Sequence, residues 1–170
     1  MLPPKKPPDQ VSPKDHTARI GIIDDDPIAA GCMRARLLQK FSQCSVTVYD
    51  EPIVTPMLDI YFVDNDFNGQ RMATQLLREI RELNPNALVV AMSSTLEQST
   101  LLALMNGGCN AVYDKNKPHE CDAMFEVIEN YLSVLQQLRV GHTRNPFRSV
   151  VLSLRELVHE WNNRLNKNNF

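Results

Sequence analysis

From Ala18 onward, short apolar runs alternate with helix-length amphipathic segments, and that alternation leaves few folds open. The runs suit strands buried on both faces, while each longer segment carries one apolar stripe. A parallel sheet covered by helices on both faces buries both kinds at once. The predicted strands are Ala18–Ile23, Ser45–Tyr49, Ile60–Val63, Leu88–Met92 and Ala111–Tyr113. Between them, Pro27–Phe41 sets Met33, Leu37, Leu38 and Phe41 on one side, with Asp26 as N-cap and Pro27 in the first turn. Met72, Leu76, Ile80 and Leu83 make a second stripe, which Asn84-Pro85 ends. Thr95–Asn106 is a third helix, closed by Gly107-Gly108. A fourth runs from near Pro118 to about Val140, and its last turns, with Leu135 and Leu138, extend past what five strands can cover.

The ends of the chain differ from this middle. Residues 1–17 hold Pro3, Pro4, Pro7, Pro8 and Pro13 among Lys and Asp, a composition that reads as a disordered arm. Residues 18–137 form the α/β domain, and 138–170 form a C-terminal amphipathic helix. In that helix Phe147, Val150, Val151, Leu154, Leu157, Val158, Trp161 and Leu165 fall within about 120° at helical spacing. The last two helices are expected to pair as a hairpin, and two hairpins as a homodimer. At 170 residues and 43% hydrophobic, the chain can bury one core. No apolar run approaches membrane length and no signal peptide is present, so a cytoplasmic location without membrane contact is expected. Net charge is −2 with no concentration of Lys and Arg, which disfavours direct DNA binding. Cys32, Cys44, Cys109 and Cys121 are scattered, the pattern of reduced thiols rather than of a zinc site or a disulfide framework.

In an open parallel sheet, function gathers at the carboxyl ends of the strands. The most unusual polar residues stand there. Asp24, Asp25 and Asp26 follow the first predicted strand, Asp64 and Asp66 the third, Ser93 and Ser94 the fourth, and Lys115 the fifth. Carboxylates that converge repel one another unless a cation sits among them, and an all-oxygen shell favours Mg²⁺. The pattern points to magnesium-assisted phosphoryl chemistry.

Four segments carry a resemblance to the receiver domain of two-component response regulators, over about residues 18–137. They are Ile20-Gly21-Ile22-Ile23-Asp24-Asp25-Asp26-Pro27, Asp59-Ile60-Tyr61-Phe62-Val63-Asp64, Val89-Val90-Ala91-Met92-Ser93-Ser94 and Gly108-Cys109-Asn110-Ala111-Val112-Tyr113-Asp114-Lys115. The resemblance implies a doubly wound, five-stranded, flavodoxin-like α/β fold and a signalling domain rather than an enzyme. It implies that Asp64 is the phosphoacceptor and that Asp24, Asp25 and Asp64 hold Mg²⁺ with the Asp66 backbone carbonyl. Ser93 would be the switch hydroxyl, and Lys115 would pair with phosphoryl oxygens. The implied partners are a sensor histidine kinase and a downstream protein.

The chain departs from the family in several places. Val112 stands three positions before the lysine, where the family usually has an aromatic residue. Tyr113 faces the other side, because side chains alternate along a strand. The loop Asp64-Asn65-Asp66-Phe67-Asn68-Gly69 is short and lacks the usual proline. Only about ten residues, two of them Pro52 and Pro56, separate Tyr49 from Asp59, so the family's second helix is expected to be lost or reduced to a turn. These departures admit a pseudo-receiver that binds partners with a degenerate switch. Asp64-Asn65-Asp66 also reads as the D-x-D of haloacid-dehalogenase-type phosphatases, but there the acidic pair follows the D-x-D, and here Asp24-Asp25 precede it. Finally, Leu157-Val158-His159-Glu160-Trp161-Asn162-Asn163 resembles the H-box of histidine kinases, which makes His159 a candidate phosphorelay residue on the polar side of the last helix.

Overall fold

The computed structural model describes residues 17–140. The N-terminal arm, the segment 141–170 with His159, and the pairing of that segment into a homodimer lie outside the described residues.

The elements run β1 (Arg19–Ile23), α1 (Pro27–Lys40), β2 (Ser45–Tyr49), β3 (Ile60–Asp64), β4 (Asp66–Phe67), β5 (Gln70–Arg71), α2 (Ala73–Leu83), β6 (Leu88–Ser93), α3 (Gln98–Asn106), β7 (Ala111–Asp114) and α4 (Cys121–Val140), which a 3₁₀ turn at Pro118–Glu120 precedes. Five strands pair in parallel in the order β2-β1-β3-β6-β7. This is the doubly wound α/β sheet expected from the sequence, and its order reverses between β1 and β3. One face packs Ile20, Ile22, Phe62 and Val90 against α1 and α4 through Met33, Leu37, Met124 and Ile128. The other packs Tyr61, Val63, Val89 and Ala91 against α2 and α3 through Leu76, Leu77, Ile80 and Leu104.

Strand boundaries lie within a residue of expectation, because Asp64, Ser93 and Asp114 still pair with neighbouring strands. α3 starts at Gln98 rather than Thr95. The Ser93 hydroxyl accepts from Thr95 N–H and donates to Thr95 C=O, both at 3.1 Å, which holds 93–95 in a turn.

No helix forms between β2 and β3. Residues 50–59 instead cross the sheet face as a strap. Gly21 in β1 makes this possible, since a Cβ there would lie 2.4 Å from Leu58 Cδ1 and 3.2 Å from Tyr49 Cε2. The Tyr61 hydroxyl donates to Thr55 C=O at 2.7 Å and Asn84 Nδ2 donates to Leu58 C=O at 2.7 Å, which fasten the strap.

The last described turns of α4 are partly covered: Leu132 and Leu135 pack against the α1-side core, while Val134 and Leu138 stay half-buried without being part of it. The turns at the amino edge of the sheet widen the cover beyond the strands. Tyr131 donates to Asn86 C=O at 3.0 Å, and Arg139 Nη2 lies 2.6 Å from Asp59 Oδ1.

Candidate functional site

The strand ends on either side of the reversal deliver the polar groups. Asp24 and Asp25 follow β1, Asp64 closes β3, Ser93 closes β6 and Lys115 follows β7. Lys115 N–H donates to Ser93 C=O at 2.9 Å, which fixes the lysine at the level of the β6 terminus. Its Nζ lies 2.8 Å from Asp24 Oδ2 and 2.8 Å from Asp64 Oδ1. Carboxylate oxygens of Asp24, Asp25 and Asp64 lie within 4.8 Å of one another. Asp24 is 1% and Asp64 4% exposed, so two of these charges are held in a poorly solvated place.

The electrostatics follow from burial. Removal from water pushes the Asp64 carboxyl up to about 6, with Asp24 adding to the rise and Lys115 opposing it. Burial works against the Lys115 ammonium, but its close contacts with the Asp24 and Asp64 carboxylates outweigh that and hold its pKa above the ordinary lysine value. One ammonium facing three carboxylates leaves the cluster negative. Asp24 Oδ2 is buried and has no well-aligned hydrogen bond, although Lys115 Nζ stands beside it. An incompletely satisfied, all-oxygen, negative cluster fits a hard divalent cation such as Mg²⁺.

The other acidic residues take different roles. Asp26 caps α1, with Oδ1 accepting from Ile28 N–H at 2.8 Å and Ala29 N–H at 3.2 Å, and these bonds lower its pKa. The Asp66 carboxylate is half-buried and is not one of the three grouped carboxylates, so only its backbone carbonyl remains for the role the resemblance implies. Asp66 begins a two-stranded hairpin, β4 with β5, that replaces the loop expected after Asp64. At its tip Asn68 and Gly69 have φ of 47° and 77°, the left-handed pair a tight hairpin turn requires. Asn68 N–H donates to Asp25 Oδ2 at 2.8 Å, so the hairpin tip orients one of the grouped carboxylates. Sequence reasoning missed this role, although Asn-Gly is the strongest short-range hairpin signal. Asn116 was missed as well; its Nδ2 donates to Ser94 C=O and joins the two loops beside the site.

The alternation expected for β7 holds. Val112 packs on the α2–α3 face, and Tyr113 packs on the α1–α4 face, where its hydroxyl meets Arg36 Nη1 at 3.2 Å and Cys121 Sγ at 3.3 Å.

No protein-family model and no curated protein matches this chain in sequence. Solved structures do match in fold. The BeF3-activated receiver domain of DrrB, a Thermotoga maritima protein, superimposes with a TM-score of 0.59 at 15% identity, over 69% of this chain and 98% of that one. A CheY-like response regulator receiver domain protein from Methanospirillum hungatei gives 0.58 at 20%, over 71% and 98%. The signal receiver domain of a DNA-binding response regulator from Colwellia psychrerythraea gives 0.57 at 18%, over 66% and 98%. The fold of residues 17–140 is therefore the CheY-like receiver fold. No described helix is long and apolar enough to cross a membrane.

Proposed function

We propose that this chain is the receiver of a two-component system and accepts a phosphoryl group on Asp64 from the phosphohistidine of a sensor kinase or from a small phosphodonor. The observation that carries the reading is the Lys115 ammonium, 2.8 Å from both Asp24 and Asp64 at the mouth of a receiver fold. Asp24, Asp25, Asp64 and the Asp66 backbone carbonyl would hold Mg²⁺, which when bound neutralises oxygens of the incoming phosphoryl group.

The chain's own residues supply the rest. An oxygen of Asp64 attacks phosphorus in line while the phosphorus–nitrogen bond to the donor imidazole breaks; the imidazole, protonated on its other nitrogen, leaves neutral. With its pKa near 6, Asp64 is ionised and nucleophilic at neutral pH. Lys115 exchanges its contact with Asp64 Oδ1 for an oxygen of the bound phosphoryl group, and Ser93 does the same once its hydroxyl releases Thr95. Output passes to a partner protein rather than to DNA, a reading in keeping with the net charge of −2.

The test is incubation of the full chain with Mg²⁺ and acetyl phosphate, read by intact mass. One added phosphoryl group is expected, lost in Asp64→Asn and when the metal is chelated. No addition, or addition that survives Asp64→Asn, overturns the assignment.

One observation favours a second reading. Val112 leaves no aromatic side chain at the usual coupling position, and Tyr113 is held on the opposite face by Arg36 and Cys121. A chain that binds beryllofluoride and Mg²⁺ without change in shape or partner affinity would be a pseudo-receiver acting as a binding module.

A further inference from the structure

The strap that replaces the second helix covers the sheet but leaves apolar side chains of its own open. Leu58 plugs the space above Gly21, but Ile53 and Met57 on the same strap are 57% and 67% exposed. Met57 also has a φ of 68°, a left-handed conformation that a side chain of this kind rarely adopts. Leu83, next in sequence to the Asn84 that bonds Leu58 C=O, is 58% exposed. Three large exposed apolar side chains thus lie on or beside the strap where the fold ordinarily carries a helix, and folded domains seldom leave such groups open together.

The position of α4 indicates what covers it. α4 ends at the amino edge of the sheet, where Arg139 meets Asp59, the last residue of the strap. Thirty residues follow Val140. The six from Gly141 to Pro146 can span up to about 20 Å, enough to round that edge from the α4 face to the strap face. The next nineteen, Phe147–Leu165, have the helical apolar stripe built on Phe147, Leu154 and Trp161. Charge is complementary as well. Residues 50–59 contain Asp50, Glu51 and Asp59 and no basic residue, whereas residues 141–170 contain Arg144, Arg148, Arg155, Arg164 and Lys167 against Glu156 and Glu160.

We propose that the C-terminal segment, residues 147–165, docks as an amphipathic helix on the strap of its own chain, over Ile53, Met57 and Leu83, in the place the missing helix leaves. The inference stands apart from the phosphoacceptor assignment and would survive its failure. It gives the terminal stripe a partner within one chain, where the sequence alone suggested pairing between two copies. His159 and Asn163, on the opposite side of that segment, would face outward.

Trp161 is the chain's single tryptophan and reports directly on the docking. The experiment uses the full chain at dilute concentration, with emission, acrylamide quenching and mass by sedimentation. The expected result is a particle of one chain's mass whose tryptophan emits at short wavelength and resists quenching. In the double variant Ile53→Asp, Met57→Asn, emission moves to longer wavelength and quenching rises, while the far-ultraviolet signal of the α/β domain is kept. Ile28→Asp, at a still more exposed position on α1, leaves the emission unchanged. Emission typical of a water-exposed indole in the unmodified chain overturns the proposal. So does emission indifferent to the strap variant, or a particle of twice the chain's mass.

Discussion

The two edges of the sheet are built on opposite principles. At the amino edge the half-buried Arg81 and Asp59 find partners for their charged groups. Arg81 donates to Gly108 C=O, Pro85 C=O, Ala87 C=O and Asn110 Oδ1, and Asp59 accepts from Arg19 N–H at 2.8 Å and from Arg139 at 2.6 Å. At the carboxyl edge, buried carboxylates crowd one ammonium and a buried oxygen of Asp24 lacks an aligned donor. The first edge is a clamp that joins turns, and nothing in it needs to move. The second is held by the first in an arrangement that costs stability, which is where a ligand has most to offer.

The largest expected effect breaks the satisfied edge. Burial lowers the Arg81 pKa, yet the guanidinium stays charged and serves carbonyls from two turns. Arg81→Met strands those carbonyls and is expected to cost about 4 kcal/mol in urea unfolding. Arg81→Lys should recover less than half of that, because an ammonium cannot reproduce the planar fork. A loss under about 1 kcal/mol for Arg81→Met would show that the amino edge is not a clamp.

The next effect has the opposite sign. Burial moves the Asp64 carboxyl from its ordinary value of 3.8 up to about 6 in the folded chain, so the folded chain holds this proton more tightly than the unfolded one. Its contribution therefore favours folding below about pH 4 and is lost as pH rises through 6. At pH 7.5 the ionised carboxylate costs about 3 kcal/mol. Without divalent metal, Asp64→Asn should raise stability at pH 7.5 by up to that amount, and the gain should vanish near pH 4. Unfolding curves across that range check it; a destabilised variant at pH 7.5 would mean that the Lys115 contact outweighs burial.

A third effect, of about 2 kcal/mol, tests the strap that joins the two edges. Gly21→Val drives a side chain into Leu58 and Tyr49, an overpacking of the kind that costs 1–3 kcal/mol. Combined with Leu58→Ala, which empties the same space, the cost should be less than the sum of the two single changes. Strict additivity would mean that Leu58 is not seated over Gly21.

The strands of the sheet and the residues at its carboxyl edge were legible because they rest on period and spacing, while the order of the strands came only with the resemblance. Apolar runs such as Val89-Val90-Ala91 announce buried strands, and Asp24, Asp64, Ser93 and Lys115 follow such runs. The missing helix was legible from Pro52, Pro56 and the short span. What replaces it was not, since the role of Gly21 depends on a side chain from a distant loop. Arg81 was hidden for the same reason: its partners are backbone carbonyls, which every residue carries. The contacts that loop residues such as Asp59 and Asn86 make with α4 were hidden as well, because periodicity is silent about loops.

The smallest effect concerns the hairpin after Asp64. Gly69 has a φ of 77° and open space around a would-be Cβ, so the cost of Gly69→Ala is conformational alone, about 1 kcal/mol. The consequence reaches further than the stability change. Asn68 N–H orients the Asp25 carboxylate through Oδ2, and a turn that no longer holds its left-handed pair releases that carboxylate toward solvent. Lost outer-shell hydrogen bonds typically weaken metal binding by 10–100-fold, and an exposed bond belongs at the low end, so Mg²⁺ affinity should fall by about tenfold. Titration calorimetry with Mg²⁺ on Gly69→Ala and the unmodified chain measures it. Equal affinities would show that Asp25 reaches its place without the hairpin, and that the turn after Asp64 serves only to connect β3 to α2.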